Sequence, residues 1–174
     1  MQFIFAPIVG ALSDQYGRRK ILLFSLLGFV LNYSLLALAP NIIWLFVGRI
    51  ASGIMGASMS TASAYISDIS DESNRAKNFG LVGAAFGIGF VLGPLIGGVM
   101  GDINTRFPFW IAALLSFINL IYGYLVLPES LDKEHRSPFH WRRANPIGNI
   151  FQFKSFPIIL GLIVCYFIIQ IAIQ

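Results

Sequence analysis

Apolar residues in this chain come in long, nearly unbroken runs. They cover residues 1–12, 20–39, 42–67, 76–100, 109–127 and 156–174, with short polar stretches between them. A one-faced stripe predicts a helix on a soluble core, and period-two alternation predicts a strand. A run that is apolar all round predicts a helix buried on every side. A bilayer core is crossed by about 20 apolar residues in helical form, with a range of roughly 17–25. The five runs from residue 20 onward reach that length, whereas 1–12 is too short to cross comfortably. Barrel strands are excluded, because they alternate and span with about 9–11 residues. Pro40-Asn41 closes the second run and Pro128 the fifth. The predicted fold class is an all-α membrane protein.

Composition agrees. Of 174 residues, 56% are hydrophobic and 11% charged, and the mean hydropathy is +0.74. A soluble domain carries about 25% charged residues, so this chain cannot cover a water-exposed surface. Its apolar content also excludes disorder. The single cysteine, Cys165, allows no intrachain disulfide and reads as an inert thiol within an apolar run. The first run has neither a basic leader nor a small-residue cleavage site, so no signal peptide is expected before it.

The net charge of +4 and isoelectric point near 9.5 become informative once the basic residues are placed. Arg18, Arg19, Lys20, Arg75, Lys77, Lys133, Arg136, Arg142, Arg143 and Lys154 fall in loops on one side of the alternating topology. Arg106 alone falls in a loop on the other side, and Arg49 lies near or inside a span. By the positive-inside rule, the first side is cytoplasmic. The basic charge is thus topology, and nucleic acid is not an expected partner. The stretch 128–155, with its prolines and charges, reads as a cytoplasmic linker between a bundle at 1–127 and the start of a second at 156–174. Residues 145–153 are expected to form a short surface helix, and His135 and His140 to be solvated.

The first cytoplasmic turn reads Gly10-Ala-Leu-Ser-Asp14-Gln-Tyr-Gly17-Arg18-Arg19-Lys20. A tight turn between antiparallel helices wants a glycine free to take positive φ, and Gly17 supplies it. Gly10 allows close approach of another helix. Asp14 is placed to cap a helix N-terminus or to pair with a cation. A plain basic stop after a span explains Arg18, Arg19 and Lys20, but not the spacing of Gly10, Asp14 and Gly17.

That spacing resembles motif A of the major facilitator superfamily, between transmembrane helices 2 and 3. Leu45, Arg49, Ser52, Gly53, Gly56 and Ala57 resemble motif B of helix 4. Gly89, Gly93, Pro94, Gly97 and Gly98 resemble motif C of helix 5, typical of drug/proton antiporters. Leu127-Pro128-Glu129-Ser130 resembles the close of helix 6. Within the superfamily the likeness is greatest to bacterial tetracycline/proton antiporters. It implies part of a twelve-helix fold: the end of helix 2, helices 3 to 6, the central loop and most of helix 7, with the missing helices of the full-length transporter as partners. It also implies a multi-pass protein of the bacterial inner membrane that exports a drug-like small molecule in exchange for protons by alternating access. The open alternatives are a facilitator-family transporter of a sugar or metabolite, and a truncated product acting only as a membrane interaction partner.

Several residues acquire expected roles from that likeness. An arginine inside a span costs about 2.5–3.5 kcal/mol on insertion scales. Arg49 therefore either snorkels to the outer interface or, as the resemblance implies, serves proton coupling. Asn32 stands where the tetracycline pumps have an aspartate. It can hydrogen-bond a substrate or a neighbouring helix but cannot titrate. Gln2 is a second expected cavity residue. Asp14, Gly17, Arg18, Arg19 and Asp68 are expected to form a charge network that latches one transport state, with Arg18 and Arg19 read as the end of helix 2. Gly89, Gly93, Gly97 and Gly101 repeat every four residues, forming either a static packing stripe or a seam between halves. A small face on helix 4 at Gly53, Gly56, Ala57, Ser60 and Ala64 is expected to pack on helix 5 or on counterpart helices. All eight carboxylates lie in loops or at helix ends, so an intramembrane acid is expected from the missing helices. With no nucleophile motif, metal-spaced cluster or phosphate loop, neither an enzyme nor a cofactor is expected.

Overall fold

The computed structural model describes residues 1–139 and Gly161. The expected helix 7, the surface helix at 145–153, His140 and Cys165 lie outside the described residues.

Within residues 1–139, six α-helices follow in order: α1 (Gln2–Tyr16), α2 (Arg18–Leu38), α3 (Ile42–Met55), α4 (Ser58–Asp68), α5 (Arg75–Ile103) and α6 (Phe107–Val126). A 3₁₀ turn occupies Lys133–His135. Among the described residues there is no strand. Among the described residues, four segments are long and apolar enough to cross a membrane: α2, the joined α3 and α4 (Ile42–Asp68), α5 and α6. The chain is an integral membrane protein.

Local chemistry sets the helix boundaries. Asn41 begins α3 by accepting from the Trp44 amide through its side chain at 3.4 Å, the usual role of asparagine at an N-cap. At Gly56 and Ala57 the span narrows into a 3₁₀-like step. The Ala57 amide donates to the Ile54 carbonyl and the Met59 amide to the Gly56 carbonyl, both at 3.2 Å. Pro108 lies in the first turn of α6, where its missing N–H costs nothing. Gly17 has φ 100° and ψ 143° and both ends α1 and begins α2. Arg18 and Arg19 are therefore the first residues of α2, and the expectation that they end the preceding helix is corrected. Glycine at positive φ breaks α1 one residue before them.

α2 is the hub and contacts α1, α3, α4 and α6, with its most extensive interface against α6. Small residues make these contacts close, since hydrophobicity does not drive helices together in lipid. A methyl group at Gly48 would overlap Leu36, and one at Gly28 would overlap Met55. At Gly123 it would meet Leu23 Cδ2 at 3.3 Å. Of the small face expected to pack on helix 5 or on counterpart helices, Gly53, Gly56 and Ser60 meet α1 here. A Cβ at Gly53 would lie 2.8 Å from Met1 Cβ. Ser60 Oγ donates to the Ala6 carbonyl at 3.4 Å. α1 presents Ala6 and Gly10 there, and these are small enough to admit the neighbouring helix. Among the described residues, α5 touches only α4 and α6 appreciably, and none of its residues is buried.

Candidate functional site

The Gly17 turn organises a charged cluster at the cytoplasmic end of the bundle. Ser13 is buried, and its hydroxyl donates to the Gly10 carbonyl at 2.7 Å. Its own carbonyl accepts from the Gly17 amide at 3.0 Å, which holds the end of α1 in place. Arg18 then leaves the first turn of α2 toward two acids. Its Nη2 lies 3.6 Å from Asp14 Oδ1, and its Nε 2.5 Å from Asp68 Oδ2. The Arg18 side chain is 13% exposed and that of Asp68 24%, against 50% for Asp14. The shorter and more buried Arg18–Asp68 contact is less screened by water and salt, so it is the stronger of the two. Ser130 Oγ, just beyond α6, donates to Asp68 Oδ2 at 3.0 Å. Of the two roles open to Asp14, cation pairing is the one realised.

Glu129 completes the cluster, and sequence reasoning gave it no role of its own. Its Oε1 accepts from the backbone amides of Arg18 at 2.8 Å and Arg19 at 3.3 Å. These are orphan donors at the start of α2, where the helix dipole favours an anion. Its Oε2 lies 3.8 Å from Arg136 Nη2. Space for the carboxylate exists only because residue 17 lacks a side chain, as a Cβ there would overlap Glu129 Oε2. Tyr65 Oη, in the last turns of α4, donates to the Pro128 carbonyl at 3.0 Å. The Ser137 amide donates to the Asp14 carbonyl at 3.2 Å. The first residues of the expected linker are thus docked over the α1–α2 turn rather than free. Asp14 and Asp68 face the Arg18 guanidinium and Glu129 that of Arg136, while Arg19 offers Glu129 only its backbone amide and turns its guanidinium to the Tyr124 carbonyl. The cluster joins α1, α2, α4 and the end of α6.

The intramembrane residues are placed differently. Arg49 is exposed on α3. It lies one turn before Gly53 and two before Gly56, on the helix stripe that receives the first residues of α1. Gln2 shares that groove, and its Nε2 donates to the Gly56 carbonyl at 3.1 Å. Among the described residues, Arg49 has no ion-pair or hydrogen-bond partner. Asn32 faces the α2–α3 seam instead. It is 5% exposed, and its Nδ2 lies 2.6 Å from Ser52 Oγ. It lines a cavity of about 300 Å³ with Phe24, Leu31, Gly48 and Met55. Arg49, Gln2 and Asn32 are therefore not brought to one point. All but the last of the α5 glycines, Gly101, face open space among the described residues. A Cβ at Gly80, Gly83, Gly87, Gly89, Gly93, Gly97 or Gly98 would meet nothing within 4 Å. Among the described residues no group of three or more histidine, cysteine, aspartate or glutamate side chains is placed to hold a metal.

Comparison with known proteins gives this arrangement its context. The family profile of the Major Facilitator Superfamily matches residues 1–174. The class C tetracycline resistance protein of Escherichia coli is 43% identical over 174 residues, covering 100% of this chain and 44% of that protein. The class H tetracycline resistance protein of Pasteurella multocida is 42% identical, covering 98% of this chain and 43% of that protein. The chain thus spans less than half the length of these relatives. Among solved structures, the human organic anion transporter MFSD10 (TETRAN) superposes with a TM-score of 0.73 at 31% identity, covering 79% of this chain and 32% of that one. Helix order, the glycine-hinged charged turn and the whole-length match together make this chain a member of the major facilitator superfamily.

Proposed function

We propose that these residues belong to a secondary active transporter that exports a drug-like small molecule in exchange for protons by alternating access. The carrying observation is the whole-chain likeness to tetracycline resistance proteins. The exposed Arg49 supports it. An unneutralised guanidinium at membrane depth is expensive, and it is retained where a moving charge or substrate uses it. In this reading Arg49 and Gln2 line the central cavity, and Arg49 sets the affinity of a nearby carboxyl group for its proton. That carboxyl comes from helices beyond these 174 residues, because Asp14, Asp68 and Asp102 all sit at helix ends. Asn32 lines the side cavity and, through Ser52, fixes α2 against α3.

The likeness to an organic anion transporter favours a second reading of the same residue, in which Arg49 binds an anionic substrate directly. One variant separates the two. In vesicles holding the full-length transporter, Arg49→Ala should abolish proton-driven accumulation of every substrate while leaving membrane insertion intact. If Arg49 is an anion-binding group, the same variant instead raises KM for anionic substrates and spares neutral ones. Wild-type accumulation of all substrates would refute both roles.

A further inference from the structure

Arg106 is the one loop arginine that breaks the positive-inside pattern, and the structure gives it a partner. α2 runs outward from the cytoplasmic turn, so the negative end of its dipole lies at the outer surface. Arg106 Nη2 donates there to the Ala39 carbonyl at 3.1 Å, immediately past the last turn of α2. At the inner end, Glu129 Oε1 accepts from the Arg18 and Arg19 amides. Arg106 precedes α6 and Glu129 follows it, so the two charges flanking α6 grip the two ends of α2, each with the sign the dipole requires. The grip is returned at the inner end. Arg19 Nη2 donates at 2.7 Å to the Tyr124 carbonyl in the last turn of α6, and its guanidinium carbon lies 5.8 Å from the Tyr124 ring centroid. The remaining end of α6 is satisfied locally. Pro108 brings no amide proton, and the Phe107 amide donates to the Asn104 carbonyl at 3.0 Å.

We propose that α2 and α6 form a single strut in which residues flanking α6 cap both ends of α2 and Arg19 of α2 caps the C-terminal end of α6, with Arg106 and Glu129 as its positioning residues. Packing alone holds the middle of the pair, where Gly123 admits Leu23 and Leu26. The terminal charges fix its register and angle at both membrane surfaces. The inference explains why a basic residue is tolerated on the outer side, and it holds whichever solute is carried.

Hydrogen exchange in the membrane-embedded, full-length protein tests the strut. Arg106→Gln should raise exchange across residues 35–39 by roughly two- to fivefold and leave residues 18–22 at the wild-type rate. Glu129→Gln should do the reverse. Arg106→Lys should restore protection at the outer end, and Arg106→Glu should exceed Arg106→Gln, because a negative charge there opposes the dipole. A purely steric role would rank lysine with glutamine and would not separate the two ends. Wild-type exchange at residues 35–39 in both Arg106→Gln and Arg106→Glu, or no better rescue by lysine than by glutamine, would overturn the proposal.

Discussion

At Gly17 two requirements coincide on one residue. Its φ of 100° lies where side chains with a Cβ are strained, and the missing Cβ leaves room for the Glu129 carboxylate. Gly17→Ala should therefore destabilise the bundle by about 1–3 kcal/mol, read as a lowered melting midpoint of the purified protein. Glu129→Ala should cost about 1 kcal/mol, as the loss of an N-terminal cap usually does. The double variant should cost less than the two singles together, since removing Glu129 also removes the overlap. Strict additivity would mean that only the backbone strain matters. The positive φ was legible in the sequence from the spacing of Gly10, Asp14 and Gly17. The overlap was not, because Glu129 lies more than a hundred residues from Gly17 and only folding brings them together.

Among the helices, span lengths were readable because hydrocarbon thickness fixes them. The runs 20–39, 42–67, 76–100 and 109–127 appear as α2, the α3–α4 pair, α5 and α6, each shifted by only a few residues. Partners were less readable. Small residues mark where a helix can be approached but not by which neighbour, and among the described residues the Gly53–Gly56 face meets α1. Asn32 illustrates the same limit, since an amide at membrane depth serves a substrate or a helix equally well until its surroundings are known. The α5 glycines yield a prediction at this scale. Alanine at Gly89, Gly93 or Gly97 meets no atom within 4 Å and is the better helix former by about 0.8–1.0 kcal/mol. Each substitution should therefore leave the melting midpoint unchanged or slightly raised. If transport nevertheless falls, the stripe meets something beyond the described residues, as a seam between halves requires. Unchanged transport in all three variants would reduce it to an unused face.

For the whole molecule, the charged cluster joins α1, α2, α4 and the end of α6, and under the proposed alternating-access reading the two states differ in which of its contacts are made. An ion pair in such a cluster biases transport only if the conformation that makes it differs in stability from the one that does not. Arg18–Asp68 is the pair on which that condition can be tested. It is a partly buried ion pair at 2.5 Å between α2 and α4, and a state that separated those two helices would expose both charges to water that does not fully replace the contact. Asp68→Asn should shift the ratio of the two access states by about fivefold toward the one in which the charges are apart. Labelling of cysteines placed on each side of the cavity would read that ratio. Exchanging the partners, Arg18→Asp with Asp68→Arg, should recover only part of the shift. The new acid at position 18 would face Asp14 across the Gly17 turn, where Arg18 now sits 3.6 Å from it, and like charges that close repel. Adding Asp14→Asn to the exchange should then restore more of the original ratio. Full recovery from the exchange alone would mean that Asp14 contributes nothing to the latch. No shift in Asp68→Asn would mean that the cluster holds the fold together without selecting a state.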